Sequence, residues 1–177
     1  LGCYGDGGAI FTNDDGLAGE CKAIRIHGTK KDKYNSEMIG LNGRLDSIQA
    51  AVLLEKLSIF DDELEMRNEV NSHYRKHLNN AQYHPKQYES AHALFSITLG
   101  SESKRDKLID RLNHAKIPNV IYYKFPIHLM EGFRYLGYKK KDLPISENLS
   151  INIISLPMHP YLKFEDIDFI LSNVKNK

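Results

Sequence analysis

Apolar residues recur at helical spacing over residues 17–26, where Leu17, Cys21 and Ile24 share a face, and again from residue 45 to about residue 78. The second stretch makes Ile48, Leu54, Leu57, Phe60, Leu64 and Tyr74 candidates for inward positions. It is long for one globular helix, so a break is expected near residues 58–61. Residues 102–115 place Leu108, Ile109 and Leu112 on one face, and residues 167–174 do the same with Ile167, Ile170, Leu171 and Val174. Short apolar runs at 9–12 and 93–99 predict strands, and 119–123 is a weaker strand candidate. Weaker helical patterns cover 129–136 and 145–154, the latter stopped by "SLPMHP". Residues 27–38, "HGTKKDKYNSEM", follow neither period and predict a solvent-facing loop. Strand, helix, strand and helix from residue 93 onward suit a small α+β domain with one sheet and helices on one face. The front section, with one evident strand, does not amount to a complete large domain.

Composition narrows the function classes. With 24 Lys plus Arg against 23 Asp plus Glu the formal charge is +1, so no bulk field calls for nucleic acid or an acidic membrane. A small acidic ligand held by local geometry stays compatible with that balance. No apolar run approaches the length of a membrane span. The two cysteines, Cys3 and Cys21, make no disulfide scaffold, and a cytoplasmic location is the expectation. The opening "LGCYGDGGAIF" is turn material running into an apolar segment without an initiator Met, and it reads as a chain cut into at the front.

The stretch "IGLNGRLDSIQAAVLLEKL" is polar and glycine-rich at one end and strongly helix-forming at the other. Gly40 and Gly43 permit unusual backbone and close approach of a ligand. Asn42 offers an amide donor, and Arg44 a rigid fork suited to phosphate or carboxylate. The free N–H groups of the helix start would add to the same attraction. A simpler reading has Asn42 capping the helix and Arg44 pairing with Asp46. No Walker loop is present, and "GDGGA" lacks the context of a dinucleotide fingerprint.

Taken together, "LGCYGDGGAIFTNDD", "RIHG", "GLNGRLDSIQAAVLLEKL", "FPIHL" and "SLPMHP" resemble the DegT/DnrJ/EryC1/StrS-type pyridoxal-phosphate aminotransferases that make amino sugars on nucleotide carriers. The likeness is greatest to the branch acting on UDP-linked 3-oxo or 4-oxo sugars, and it runs through nearly the whole chain. It implies an α/β architecture of the aspartate aminotransferase type, fold type I. Residues 1–60 would be the end of the large cofactor-binding domain with its linking helix, and 61–177 the small α+β C-terminal domain. The Schiff-base lysine would lie immediately upstream of Leu1, so this chain itself supplies no catalytic lysine. The cofactor implied is pyridoxal 5'-phosphate, the partner a second copy in a homodimer with shared active sites, and the substrates a nucleotide sugar and glutamate. Asn42 would reach the phosphate of the neighbouring subunit's cofactor, with Arg44 beside it on phosphate or on an acidic group of the substrate. Two other readings stay open: a nucleotide-sugar dehydratase on the same scaffold, with histidine at the lysine position, and a noncatalytic interaction domain if the chain is complete.

The resemblance also makes His27, Tyr122, Tyr123 and His128 candidates for substrate contact. His27, with Arg25 in "RIHG", lies near the family's active-site region; a role as dipole partner at a helix C-terminus competes. In "VIYYKFPIHL" this chain has Tyr122 and Tyr123 where related UDP-sugar enzymes carry a His-Tyr pair, and Lys124 where they carry proline. Tyr122 thereby exchanges an imidazole for a much less basic phenol. Tyr123 keeps a hydroxyl for the substrate, and Lys124 is either a solvent-facing lysine or a charge for a carboxylate or diphosphate. His128 matches a recurring family histidine near the sugar pocket. Tyr34 is an exposed-loop candidate of little weight, and His159 is expected to serve the turn between Pro157 and Pro160. His84, His92 and His114 are expected to be surface or packing residues. No metal site is expected: His73 and His77 stand four apart, but no H-E-x-x-H pattern or third ligand accompanies them. Cys3 has no identifiable histidine-carboxylate relay, so a cysteine triad is unsupported.

Overall fold

The computed structural model describes residues 1–82 and 87–175. Asp14 accepts the backbone N–H of Leu17 at 3.0 Å and so opens helix α1, Asp15–Ile24. Asp46 precedes α2, Ser47–Ser58, and the Gln49 side-chain carbonyl accepts the Asp46 N–H at 3.4 Å. The helical pattern breaks at Ile59, where the backbone leaves helical geometry, and resumes as α3, Phe60–Arg75. The expected interruption near residues 58–61 is therefore present. Strand β1, Phe95–Thr98, and helix α4, Glu102–His114, follow, the latter capped by Ser101 on the Lys104 N–H at 3.3 Å. Two 3₁₀ turns, Ile127–Leu129 and Glu131–Leu136, lead to α5, Pro144–Asn152, β2, Ile153–Leu156, and α6, Phe164–Lys175. Among the described residues no helix is long and apolar enough to cross a membrane.

The chain divides into two compact units, Leu1–Phe60 and Asp61–Lys177. In the second, β1 and β2 form an antiparallel ribbon that pairs Phe95 with Leu156 and Thr98 with Ile153. The Ser96 and Ser155 hydroxyls meet across it at 2.8 Å. Isolated bridges flank both strands, Ala81 with Ile97 and Val120 with Ser155. The core gathers Phe95 and Ile97 of β1, Ile154 and Leu156 of β2, and the apolar stripes of α4 and α6. Leu108 and Leu112 are buried as their spacing predicts, as are Ile167, Ile170 and Leu171. Tyr74 of α3 is fully buried, stacks on Phe95 at 4.5 Å and donates to the Pro157 carbonyl at 3.1 Å. That burial pushes its hydroxyl pKa well above the ordinary tyrosine value. Arg105 is buried too, its guanidinium satisfied by the Ser150 carbonyl at 3.1 Å, Glu102 at 3.1 Å and Asp106 at 2.9 Å.

Several local expectations require correction. Residues 9–12 are not a strand, because among the described residues of the first unit no neighbour pairs with them. The helix expected over 145–154 stops at Asn152, and its apolar tail turns into β2, buried along its whole length. Residues 119–123 contribute one bridge rather than a strand, and 129–136 coils as 3₁₀ turns rather than an α-helix. Ile48, Leu54 and Leu57 of α2 are exposed, at 79%, 68% and 59%, so the stripe their spacing predicts does not face inward in this chain.

Candidate active-site elements

In the first unit a reversal after α1 builds the loop that carries Asn42. His27 and Gly28 both have left-handed backbone, φ 65° and 77°. The chain thus turns back, so that Ile26 bridges Asn42 and the His27 N–H donates to the Leu41 carbonyl at 3.0 Å. The Gly43 N–H donates to the Arg25 carbonyl at 2.9 Å, closing the next rung. Glycine is required at both sides of this crossing. A Cβ on Gly28 would lie 1.8 Å from the Met38 carbonyl oxygen, and one on Gly40 would lie 2.1 Å from the Gly28 nitrogen.

On that frame the Arg44 Nε donates to the Asn42 Oδ1 at 3.0 Å, and both residues are exposed. Neither simpler reading of the junction holds: Asp46, not Asn42, precedes the helix as its cap, and Arg44 pairs with Asn42 rather than Asp46. Because Arg44 occupies the amide oxygen, the Asn42 NH₂ is left to donate. Among the described residues no protein acceptor takes it or the terminal guanidinium nitrogens. One cation and one neutral donor, pre-oriented by their own hydrogen bond, fit a phosphate oxyanion. His27 is exposed at the same crossing, its carbonyl taking the Ser36 hydroxyl at 2.8 Å.

The second unit carries Tyr122, Tyr123 and His128. The tyrosine rings meet edge to face at 5.3 Å, with Tyr123 the more exposed. His128 is buried, and its Nε2 lies 3.1 Å from the Glu147 Oε1. The same carboxylate oxygen accepts the Lys141 N–H at 2.7 Å. Burial alone would raise the Glu147 pKa. The hydrogen bonds from His128, Lys141 and Leu143, with the His128 charge, outweigh it and hold the carboxyl below the ordinary glutamate value. His128 thus ties the turn at Ile127–Leu129 to α5, and its engaged Nε2 makes it a positioning group in this arrangement. Sequence reasoning missed Glu147, whose spacing of 19 residues from His128 gives no periodic signal.

Beside this pair lies a cleft of about 550 Å³ lined by Lys124, Phe125, Pro126, Lys140, Lys141 and Ile151, among others. Its acids are already engaged, Glu102 with Arg105 and Glu147 with His128. Among the described residues none of the three lysines has an ion-pair partner, so the cleft is left with uncompensated positive charge beside the Phe125 ring. Tyr34 is exposed with the Lys33 ammonium 4.7 Å above its ring, and His159 lies exposed in the turn after β2. His84 lies outside the described residues; His92 is buried and His114 exposed.

Residues 1–175 match the DegT/DnrJ/EryC1/StrS aminotransferase family. The chain belongs to this family. Among curated relatives it is 38% identical to a pleiotropic regulatory protein of Geobacillus stearothermophilus, over 98% of this chain and 48% of that protein. It is 35% identical to UDP-2-acetamido-2-deoxy-3-oxo-D-glucuronate aminotransferase of Pseudomonas aeruginosa, over 99% of this chain and 48% of that enzyme. Among solved structures, a DegT DnrJ EryC1 StrS aminotransferase from Brucella abortus superposes with TM-score 0.86 at 43% identity, covering 99% of this chain and 47% of that one. S. venezuelae DesV, solved in complex with a ketimine intermediate, gives TM-score 0.89 at 29% identity, over 99% of this chain and 47% of that one. The chain spans about half the length of the curated relatives it matches. The aminotransferase architecture of fold type I, expected from the motifs, is the architecture of these structures.

Proposed function

We propose that this chain is the C-terminal part of a pyridoxal-phosphate-dependent nucleotide-sugar aminotransferase, acting as a homodimer with shared sites. Leu1–Phe60 ends the large domain and Asp61–Lys177 is the small one. The observation that carries the reading is the Arg44–Asn42 pair, fixed at 3.0 Å on a loop whose backbone two crowded glycines hold, with donors still free. In the assembled enzyme these donors bind the cofactor phosphate of the neighbouring subunit, Asn42 through its NH₂ and Arg44 through its terminal nitrogens. Bound pyridoxal phosphate supplies the carrier for the amino group and an acceptor for charge developing at carbon. The residues of this chain bind and orient.

The substrate is a UDP-linked 3-oxo or 4-oxo sugar and the donor glutamate. The name of the P. aeruginosa relative, a UDP-3-oxo-sugar aminotransferase, supports the substrate class. Tyr122, Tyr123 and His27 offer hydrogen bonds to the sugar, His128 positions the adjoining turn, and Lys124 with Lys140 and Lys141 suits a diphosphate. Two free cysteines and a nucleotide-activated substrate fit a cytoplasmic enzyme.

Subunit mixing tests this. Full-length subunits carrying Asn42→Ala and Arg44→Ala, and subunits lacking the cofactor lysine, are each inactive alone. Mixed, they form heterodimers with one intact pocket, and amino transfer from glutamate to a UDP-keto sugar returns. Heterodimers that form yet stay inactive would overturn the shared site.

A further inference from the structure

The sequence offers His73 and His77 without a third ligand, but the fold supplies one. Asp168 of α6 brings its Oδ1 to 2.7 Å from the His73 Nε2. His77 sits in the turn after α3, and one ligand atom from each of the three residues lies within 4.8 Å of the others. We propose that His73, His77 and Asp168 bind a divalent transition-metal ion. The three residues all belong to the unit Asp61–Lys177, and the proposal is independent of the aminotransferase reading.

The chemistry of the set points to the ion class. Two imidazoles and one carboxylate suit Zn²⁺ or Co²⁺ rather than Mg²⁺ or Ca²⁺, which take oxygen ligands, and water completes the fourth position. Tetrahedral ligands at zinc distances stand roughly 3.3 Å apart. The His73–Asp168 contact has to open slightly and His77 has to close in, a change that rotation of the exposed His77 and Asp168 side chains provides. His73 is already oriented, its ring stacked on Phe164 at 4.8 Å and 10°. As a ligand His73 is a neutral imidazole bound through Nε2 with its hydrogen on Nδ1, and Asp168 binds as a carboxylate. The cleft beside His73 is lined by Glu65 and Glu69 against Lys76, a balance that favours approach of a cation. Bound there, the ion fastens the end of α3 to α6.

The experiment is a Co²⁺ titration of the tag-free full-length protein, followed by the visible absorption of tetrahedral cobalt and by calorimetry. One equivalent per chain should bind with that absorption. His77→Gln and Asp168→Asn should each weaken binding roughly tenfold or more, since loss of a ligand costs at least as much as loss of an outer partner. Lys76→Gln, which removes a positive charge from the same cleft, should not weaken binding. Both ligand changes fall on exposed side chains, so unchanged circular dichroism certifies the fold. Absence of the visible band, or affinity in His77→Gln equal to that of the parent, would overturn the site.

Discussion

The two units use their apolar residues in opposite ways. In Asp61–Lys177 the spacing of α4 and α6 is spent on a core in which Tyr74, Ile97, Leu112, Ile154 and Ile167 are all 0% exposed. In Leu1–Phe60 the one buried hydrophobic residue among those described is Ala23, while Ile39 is 98% and Phe11 93% exposed. Apolar area contributes only when it leaves water, at about 25 cal/mol per Å². The second unit thus has its own hydrophobic stabilisation. The first is shaped by backbone hydrogen bonds and crowded glycines around Asn42, and its large apolar residues stay mostly exposed in this chain. An amphipathic pattern marks a face suited to burial, and it does not say whether this chain buries it.

The sharpest way to widen the contrast is Leu112→Ala. Removing a fully buried leucine should cost about 2–5 kcal/mol, read as a lower urea midpoint and faster hydrogen exchange in the β1–β2 ladder. An intermediate effect attaches to Glu147, whose carboxyl titrates below its unfolded value when folded. The stability it lends is present above the unfolded glutamate pKa and disappears as the pH falls through the folded one. Glu147→Gln should flatten that acid-side decline in the thermal midpoint; an unchanged slope would show that the His128 contact is not its source. Ile48→Ala should be the smallest, within about 0.5 kcal/mol by the same urea measurement. A loss as large as that of Leu112→Ala would break the comparison, showing that this face of α2 is covered in the assembled protein.

The elements legible in the sequence were those whose periodicity and burial agree. α4, α6 and β1 follow from spacing that the second unit's own core satisfies, and the interruption at Ile59 follows from the length of the helical pattern. β2 was not legible, since "IISL" is buried at every position and lacks the alternation that separates a strand from the end of a helix. Residues 9–12 carry strand chemistry but find no pairing neighbour among the described residues, and strands need one. At the candidate sites, residue types were legible and their partners were not. Arg44 and Asn42 could be singled out from a glycine-rich helix start. Glu147 beside His128 and Asp168 beside His73 come from 19 and 95 residues away, contacts that only the tertiary packing of α5 and α6 creates.

The bridges flanking the ribbon also bear on the exposed edges of the sheet. Ala81 blunts the outer rim of β1 and Val120 that of β2, so neither strand displays a long row of vacant main-chain groups. Sheet extension from one molecule to the next is thereby discouraged.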